Sequence, residues 1–453
     1  MITIGVPAEG KDEPRIGVTP ESVKRLTKNG AEVVIRSGAG SRSHFSDEDY
    51  KEAGAKIAKS DAEAVKDADI VLTVRRPDAA LAKSMKRGAL LIGMLEPFGD
   101  AKGLDALAKT GVNLFAMELM PRITRAQVMD VLSSQSNLAG YKAVVDAAAT
   151  FGRALPMMMT AAGTVPAARV FIMGAGVAGL QAIATARRLG AIVTATDVRP
   201  AAKEQVESLG AKFVAVEDEE FKEAETAGGY AKEMSDAYKK KQAALISDHV
   251  KNQDIIVTTA LIPGRPAPVL LTRAQVESMK PGSVIVDMAV ERGGNVEVAK
   301  PGEIAEHKGV TIMGKFNLPG EVPVNASSLY AKNLVSFIEV MFDKEKGELA
   351  LDWEDEVIKG TAVAKDGEIV NEMIANTLKS GGGSSAPARK PAARKTATSK
   401  SSTAKSAGTK SAGTKSTAAG AAKKPAAKRT PARNTKPQTS RTQPVRPTKG
   451  DKS

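Results

Sequence analysis

Two series of apolar runs alternate with segments of helical spacing through the first 380 residues. In the first series, ITIGVP (2–7), EVVIRSG (32–38), DIVLTV (69–74), ALLIGML (89–95) and VNLFAME (112–118) are short, β-branched and nearly continuous in apolar character. Between them, PESVKRLTKNG (20–30), DEDYKEAG (47–54), SDAEAVKDA (60–68) and GLDALAKTG (103–111) carry apolar residues three and four apart, and three of the four end at glycine. Strands apolar on both faces, with helices between them, predict parallel sheets covered on both sides. A second series starts at Arg169: RVFIMG, a helix, AIVTATD, a helix, KFVAV, and later DIIVTTA, SVIVDMA and VTIMG. The pattern therefore predicts two doubly wound, Rossmann-like α/β units. Between the series, SNLAGYKAVVDAAATFGRA (136–154) reads as a helix with Ser136 as its N-cap. SSLYAKNLVSFIEVMF (327–342) reads as a helix that returns the chain to the first unit. The domains follow: 1–135 completed by 321–379, then 136–320, then a tail from 380 to 453.

Within the second series the segment after RVFIM has chemical content. VFIMGAGVAGLQAIATARRLGAIVTATD contains Gly174-x-Gly176-x-x-Gly179, directly after a strand and opening a helix, with Asp197 at the end of the next strand. That context marks a dinucleotide site. Gly174 permits the tight turn, Gly176 lets backbone approach a pyrophosphate, and Gly179 lets helix and strand pack closely. The helix N-terminus offers free N–H groups and partial positive charge, and Val177 in its first turn would pack on the nucleotide. Asp197 would accept hydrogen bonds from the adenosine ribose and repel a 2′-phosphate, favouring NAD(H). Arg199, two residues on, pulls the other way, because an arginine can pair with such a phosphate.

A second polar stretch, RITRAQVMD (122–130), precedes the helix between the units. By residue type alone it is equally a solvated turn or a binding loop.

Composition narrows the chemistry. The chain has no cysteine, which excludes disulfides and thiolate chemistry, and its three histidines are scattered without metal-ligand spacing. No metal site is expected. No apolar run approaches the roughly 18 residues that span a bilayer, and MITIGVP reads as a strand rather than a secretory leader. The net charge of +13 is unevenly placed: from Gly381 onward lie 18 of the 65 Lys/Arg and one of the 52 Asp/Glu. The tail thus carries +17 and the rest −4. Rich in Lys, Ala, Pro, Ser and Thr, with AGTKSAGTKS repeating at 407–416, the tail cannot bury enough apolar surface to offset its ordering entropy and is expected to be disordered. It is a plain soluble extension, an attractor of anionic lipid, or a weak binder of nucleic acid. Nucleic acid is disfavoured because the tail has no aromatic residue for base stacking.

MELMPRITRAQVMDVLSSQSNLAGY (117–141), PMMMTAAGTVPAARVFIMGAGVAGLQAIATARRLGA (156–191), AETAGGYAKEM (224–234) and TTALIPGRPAPVLL (258–271) resemble the soluble, NAD(H)-binding alpha component of bacterial proton-translocating NAD(P) transhydrogenase. The resemblance covers about residues 1–378 and excludes the tail. It implies an Re/Si-specific enzyme working as one subunit of a complex. NAD(H) sits on this chain and NADP(H) on a partner, with direct hydride transfer between them coupled to proton movement. The implied partners are a second copy of this chain, a small membrane-spanning alpha chain and an NADP(H)-binding beta chain. The implied place is the cytoplasmic face of the bacterial inner membrane. On this resemblance Arg122 and Ser133 orient the nicotinamide carboxamide, Gln127 reaches toward the partner's nucleotide, and Asp130 supports that geometry. Val128 and Met129 share the loop, Asp197, Val198 and Arg199 meet the ribose, and Gly229 and Tyr230 belong to a segment that closes over the nucleotide.

Alanine dehydrogenases resemble the same body. Their lysine in a V-K-E-P stretch is matched here by Val74-Arg75-Arg76-Pro77, and Met94 stands where their histidine would fall; Arg15 in EPRIGVTP is common to both. Without that imidazole, removal of a proton from an amino group has no evident agent.

Overall fold

A computed structural model describes residues 1–379 apart from 225–233, 263, 344, 345 and 347. Gly229, Tyr230 and the tail therefore lie outside the described residues. The remainder forms two Rossmann-like sheets, and among the described residues no helix is long and apolar enough to cross a membrane.

The first sheet has eight strands. Six are parallel, in the spatial order Asn113–Ala116, Leu90–Met94, Ile70–Arg75, Thr3–Val6, Glu32–Arg36 and Lys56–Ala58. Leu90–Met94, Asn113–Ala116 and all but Arg75 of Ile70–Arg75 are buried throughout, as strands covered on both faces must be. Two antiparallel strands that the apolar pattern did not announce, Ala362–Lys365 and Glu368–Ile369, extend the sheet beyond Asn113–Ala116. The chain thus returns to the first sheet after leaving it.

The second sheet has seven strands in the order Lys212–Phe213, Ile192–Thr196, Arg169–Met173, Ile255–Thr258, Val284–Asp287, Val310–Met313 and Ile304–His307. All are parallel except Ile304–His307, a partly exposed edge strand. KFVAV shortens to Lys212–Phe213, because at the opposite edge only those two residues find a partner.

Two helices begin earlier than the sequence pattern places them. The linking helix runs Val131–Thr150, and its N-cap is Asp130 rather than Ser136; the Asp130 carboxylate accepts the Ser133 N–H at 2.9 Å. The return helix runs Pro323–Ile338, starting at a proline whose missing N–H costs nothing in the first turn. The linking helix crosses the helix Val177–Arg188 at close range. A Cβ on Gly140 would lie 2.1 Å from the Ala178 carbonyl oxygen, so only glycine permits this approach. The start of one helix is thereby fixed relative to the start of the other.

Candidate functional site

The glycine turn lies between Arg169–Met173 and Val177–Arg188 at the C-terminal edge of the second sheet. Gly174 has φ of +103°, and a Cβ there would come 2.5 Å from the Thr259 hydroxyl. A Cβ on Gly179 would come 1.8 Å from the Gly174 carbonyl oxygen. Gly176 differs: a Cβ there meets nothing within 4 Å. Two glycines are demanded by the protein's own packing, and the third faces open space. Gly176 is also the N-cap of a twelve-residue helix without a side-chain cap, so its first N–H groups stay available to an anion. Val177 is 41% exposed beside it. This is a cradle fitted to the pyrophosphate of a dinucleotide.

Asp197 follows the strand Ile192–Thr196, and its carboxylate is already engaged. Oδ2 accepts the Ala175 N–H at 2.8 Å, inside the glycine turn, and the Arg199 Nη2 at 3.0 Å. Oδ1 accepts the Arg199 N–H and Nε, each at 2.9 Å. The acid and the arginine that the sequence sets in opposition are thus one forked ion pair, with the acid side chain 7% and the arginine 33% exposed. Val198 between them is exposed.

The stretch 122–130 forms a short 3-10 turn, Thr124–Met129, that leads into the linking helix. Arg122, Gln127 and Val128 are exposed, whereas Met129 is buried with Ala126 and Val131 in the first sheet's core. Met129 is thus an anchor for the loop. Asp130 accepts from both the N–H and the hydroxyl of Ser133. The turn is tied from below by residues that sequence reasoning misses. Asn333 on the return helix donates Nδ2 to the Val128 carbonyl at 2.8 Å and accepts the Ser134 hydroxyl at 2.7 Å. Arg125 pairs with Asp355 at 2.8 Å. No signal in the sequence ties positions 333 and 355 to this loop, because each lies roughly 200 residues or more away. An exposed loop held at several points presents polar side chains in place, and a solvated turn needs no such ties.

The C-terminal edge of the first sheet carries a charged chain. Arg15, 2% exposed, donates Nε and Nη2 to Glu13 at 2.7 Å each and Nη1 to Gln135 at 2.7 Å. Arg75 joins Glu13 at 2.9 Å and Glu96 at 3.5 Å. Burial alone would raise the Glu13 carboxyl, but the Arg15 and Arg75 guanidinia hold it at about 2. Glu9 accepts the N–H groups of Val74 and Arg75, and burial still pushes it up to about 7. Met94 is buried in the core. Arg75 is therefore committed to carboxylates where the alanine dehydrogenase pattern has its lysine, and no imidazole lies near it. His249 packs edge-on to Phe171 and shares a hydrogen with Thr194, His307 pairs with Glu277, and His44 closes a 3-10 turn. Among the described residues no cluster of potential metal ligands occurs.

Two family models match the chain: "Alanine dehydrogenase/PNT, N-terminal domain" over residues 5–139 and "Alanine dehydrogenase/PNT, C-terminal domain" over residues 143–372. An NAD(P) transhydrogenase alpha subunit of Rhodospirillum rubrum, the first portion of an alpha subunit divided between chains, is 52% identical over 377 residues, covering 82% of this chain and 98% of that protein. The crystal structure of transhydrogenase from Sinorhizobium meliloti superposes with a TM-score of 0.74 at 54% identity, over 82% of this chain and 100% of that one. An L-alanine dehydrogenase structure gives 0.71 at 27% identity, over 84% and 99%.

Proposed function

The chain belongs to the alanine dehydrogenase/PNT family, and on that premise we propose that it is the NAD(H)-binding component of a proton-translocating transhydrogenase. In this reading it holds NADH and passes hydride directly to NADP+ on a partner chain, which couples the transfer to proton movement across a membrane. The observation that carries this reading is the pairing of the two helix starts. Gly140 against Ala178 fixes the loop 122–130 relative to the glycine turn, so a dinucleotide seated by its pyrophosphate would place its far end at an exposed polar loop.

When bound, the reduced nicotinamide supplies the hydride; the protein supplies position and exclusion of water. Arg122 and Ser133 would orient the carboxamide, Asp130 fixes Ser133, and Gln127 and Val128 face outward toward the partner's nucleotide. A transfer between two nicotinamides needs no acid, base or nucleophile, which fits a loop without imidazole or thiol. Asp197, with Arg199 forked on it, would read the adenosine ribose beside Val198. Gly229 and Tyr230 would close over the nucleotide. The homodimer, the membrane-spanning partners and the site on the cytoplasmic face of the membrane belong to the same proposal, as do the division at 135/136, the return from 321 and the tail beyond 380.

Reconstitution tests it. The purified chain, added to membranes that hold the NADP(H)-binding and membrane-spanning components, should support NADPH-driven reduction of an NAD+ analogue. Ammonium- and NADH-dependent reduction of pyruvate by the chain alone would instead establish an alanine dehydrogenase.

A further inference from the structure

The second sheet contains a buried polar network that the function just described does not use. It begins at Asp287, the last residue of Val284–Asp287 and fully buried. Its Oδ2 accepts the N–H groups of Asn295 at 2.9 Å and Val296 at 3.0 Å, and its Oδ1 accepts that of Ala289 at 2.9 Å. Thr258 donates to the same Oδ1 at 3.4 Å. One carboxylate thus closes the whole turn 289–296. Gly293 and Gly294 allow it, with φ of +105° and +86°, and a Cβ on Gly294 would crowd Asp287 Oδ2 at 2.8 Å.

The turn delivers Asn295, also fully buried, to the end of the neighbouring strand Ile255–Thr258. There its amide does for Ala260 what an adjacent strand would do. Oδ1 accepts the Ala260 N–H at 3.0 Å, and Nδ2 donates to the Ala260 carbonyl at 2.9 Å and to the Pro268 carbonyl at 2.8 Å. Both ends of the segment 260–268 are therefore gripped by one side chain. Next to Ala260, Thr259 donates its N–H to the Met173 carbonyl at 2.9 Å and its hydroxyl to the Gly174 carbonyl at 3.0 Å. The Gly174 carbonyl is the atom against which Gly179 also packs. Thr259 thus holds that carbonyl on the packed side of the glycine turn, opposite the open space over Gly176. On the other flank of Ala260, Leu261 and Ile262 are exposed apolar residues with no core to cover them.

We propose that Asn295 and Thr259 are positioning residues of the nucleotide site, a bracket that sets the glycine turn and the Leu261–Ile262 flank together. The inference rests on the reading that NAD(H) occupies that turn. Asn295 must be an amide, because it both donates and accepts. An aspartate of the same shape would face the Ala260 and Pro268 carbonyls with oxygen instead of N–H. Thr259 needs only its hydroxyl.

The test measures NADH dissociation constants from the fluorescence of bound nucleotide for the full-length chain and for Thr259→Val, Thr259→Ser and Asn295→Asp, with thermal midpoints in parallel. Thr259 is only partly buried and valine matches its shape, so Thr259→Val should fold. The bracket predicts that Thr259→Val weakens NADH about tenfold at a nearly unchanged midpoint, that Thr259→Ser returns to within about twofold of the unaltered chain, and that Asn295→Asp weakens NADH at least as much as Thr259→Val. Binding by Thr259→Val within about twofold of the unaltered chain, whatever its midpoint, overturns the inference alone. Failure of the unaltered chain to bind NADH overturns the reading of the site and this inference with it.

Discussion

Replacing Asp197 by alanine should change which nucleotide the chain prefers, and the size of the effect follows from its hydrogen bonds. The carboxylate accepts four donors: the Ala175 N–H and three from Arg199. The Arg199 guanidinium is one-third exposed and can turn to water, so its loss costs little. The Ala175 N–H belongs to a buried residue and cannot, so its orphaning costs about 1–3 kcal/mol. That cost falls on the glycine turn itself. Removal of the carboxylate also withdraws the acceptor for the ribose hydroxyls. Together the losses should weaken NADH by roughly 10–100-fold, or about 1.4–2.8 kcal/mol. NADPH should weaken less, or tighten, because Arg199 then faces a 2′-phosphate without competition from Asp197. Asp197→Asn separates the two effects: its amide oxygen can keep the Ala175 N–H, so the thermal midpoint should recover while the preference for NADH stays reduced. Titration of each variant with NADH and NADPH, followed by nucleotide fluorescence, reads the ratio directly. An unchanged ratio of NADH to NADPH affinity in Asp197→Ala would remove Asp197 from the discriminating role.

Three further outcomes are expected. Gln127→Asn, which shortens an exposed side chain at the presented loop, should leave the NADH dissociation constant within about twofold and slow hydride transfer to the partner's NADP+ about tenfold or more; collapse of NADH binding with a normal rate per bound nucleotide would refute its role. Gly140→Ala should cost about 3 kcal/mol, the upper end for overpacking, because its Cβ meets backbone and not a flexible side-chain tip. Calorimetry should show a midpoint drop on the order of 5–10 °C with weakened NADH binding, since both helix starts must shift. Glu9 predicts a pH effect. Its carboxyl sits at about 7 in the fold against an ordinary value of 4.5, so the stability it contributes is present below pH 4.5 and is lost as pH rises through 7. Because the residue is not fully enclosed, the loss between about pH 6 and 8 should be at most about 1 kcal/mol. Urea unfolding at the two pH values should show this slope flattened in Glu9→Gln; an identical slope would contradict the assignment.

The parallel strands and the glycine turn were legible because each obeys a local rule. Near-continuous β-branched runs form strands buried on both faces, and Gly174, Gly176 and Gly179 stand in the strand–helix context that their spacing serves. The helix starts were less legible. Asp130 and Ser136 are both good caps, and the apolar pattern of 131–135 does not separate them. The contest is settled because Asp130 can engage both the N–H and the hydroxyl of Ser133. The antiparallel edge strands at 304–307 and 362–369 were missed because half-exposed edges lack the apolar run that marks the centre of a sheet. The ties that make 122–130 a presented loop, and those that make Asn295 a strand mimic, join residues far apart in sequence. The forked pair of Asp197 and Arg199 was hidden differently: the spacing showed both residues, but only the fold shows that each satisfies the other.

The central claim is that hydride passes directly between two nicotinamides, one on this chain and one on its partner. Full-length protein mixed with the NADP(H)-binding component, NADP+ and NADH carrying deuterium at the transferred position tests it by mass spectrometry of the NADPH formed. The account predicts deuterium in NADPH without exchange into water, and a rate that falls in Gln127→Asn while NADH remains bound. Label appearing in solvent, or NADPH formed without deuterium, would contradict it.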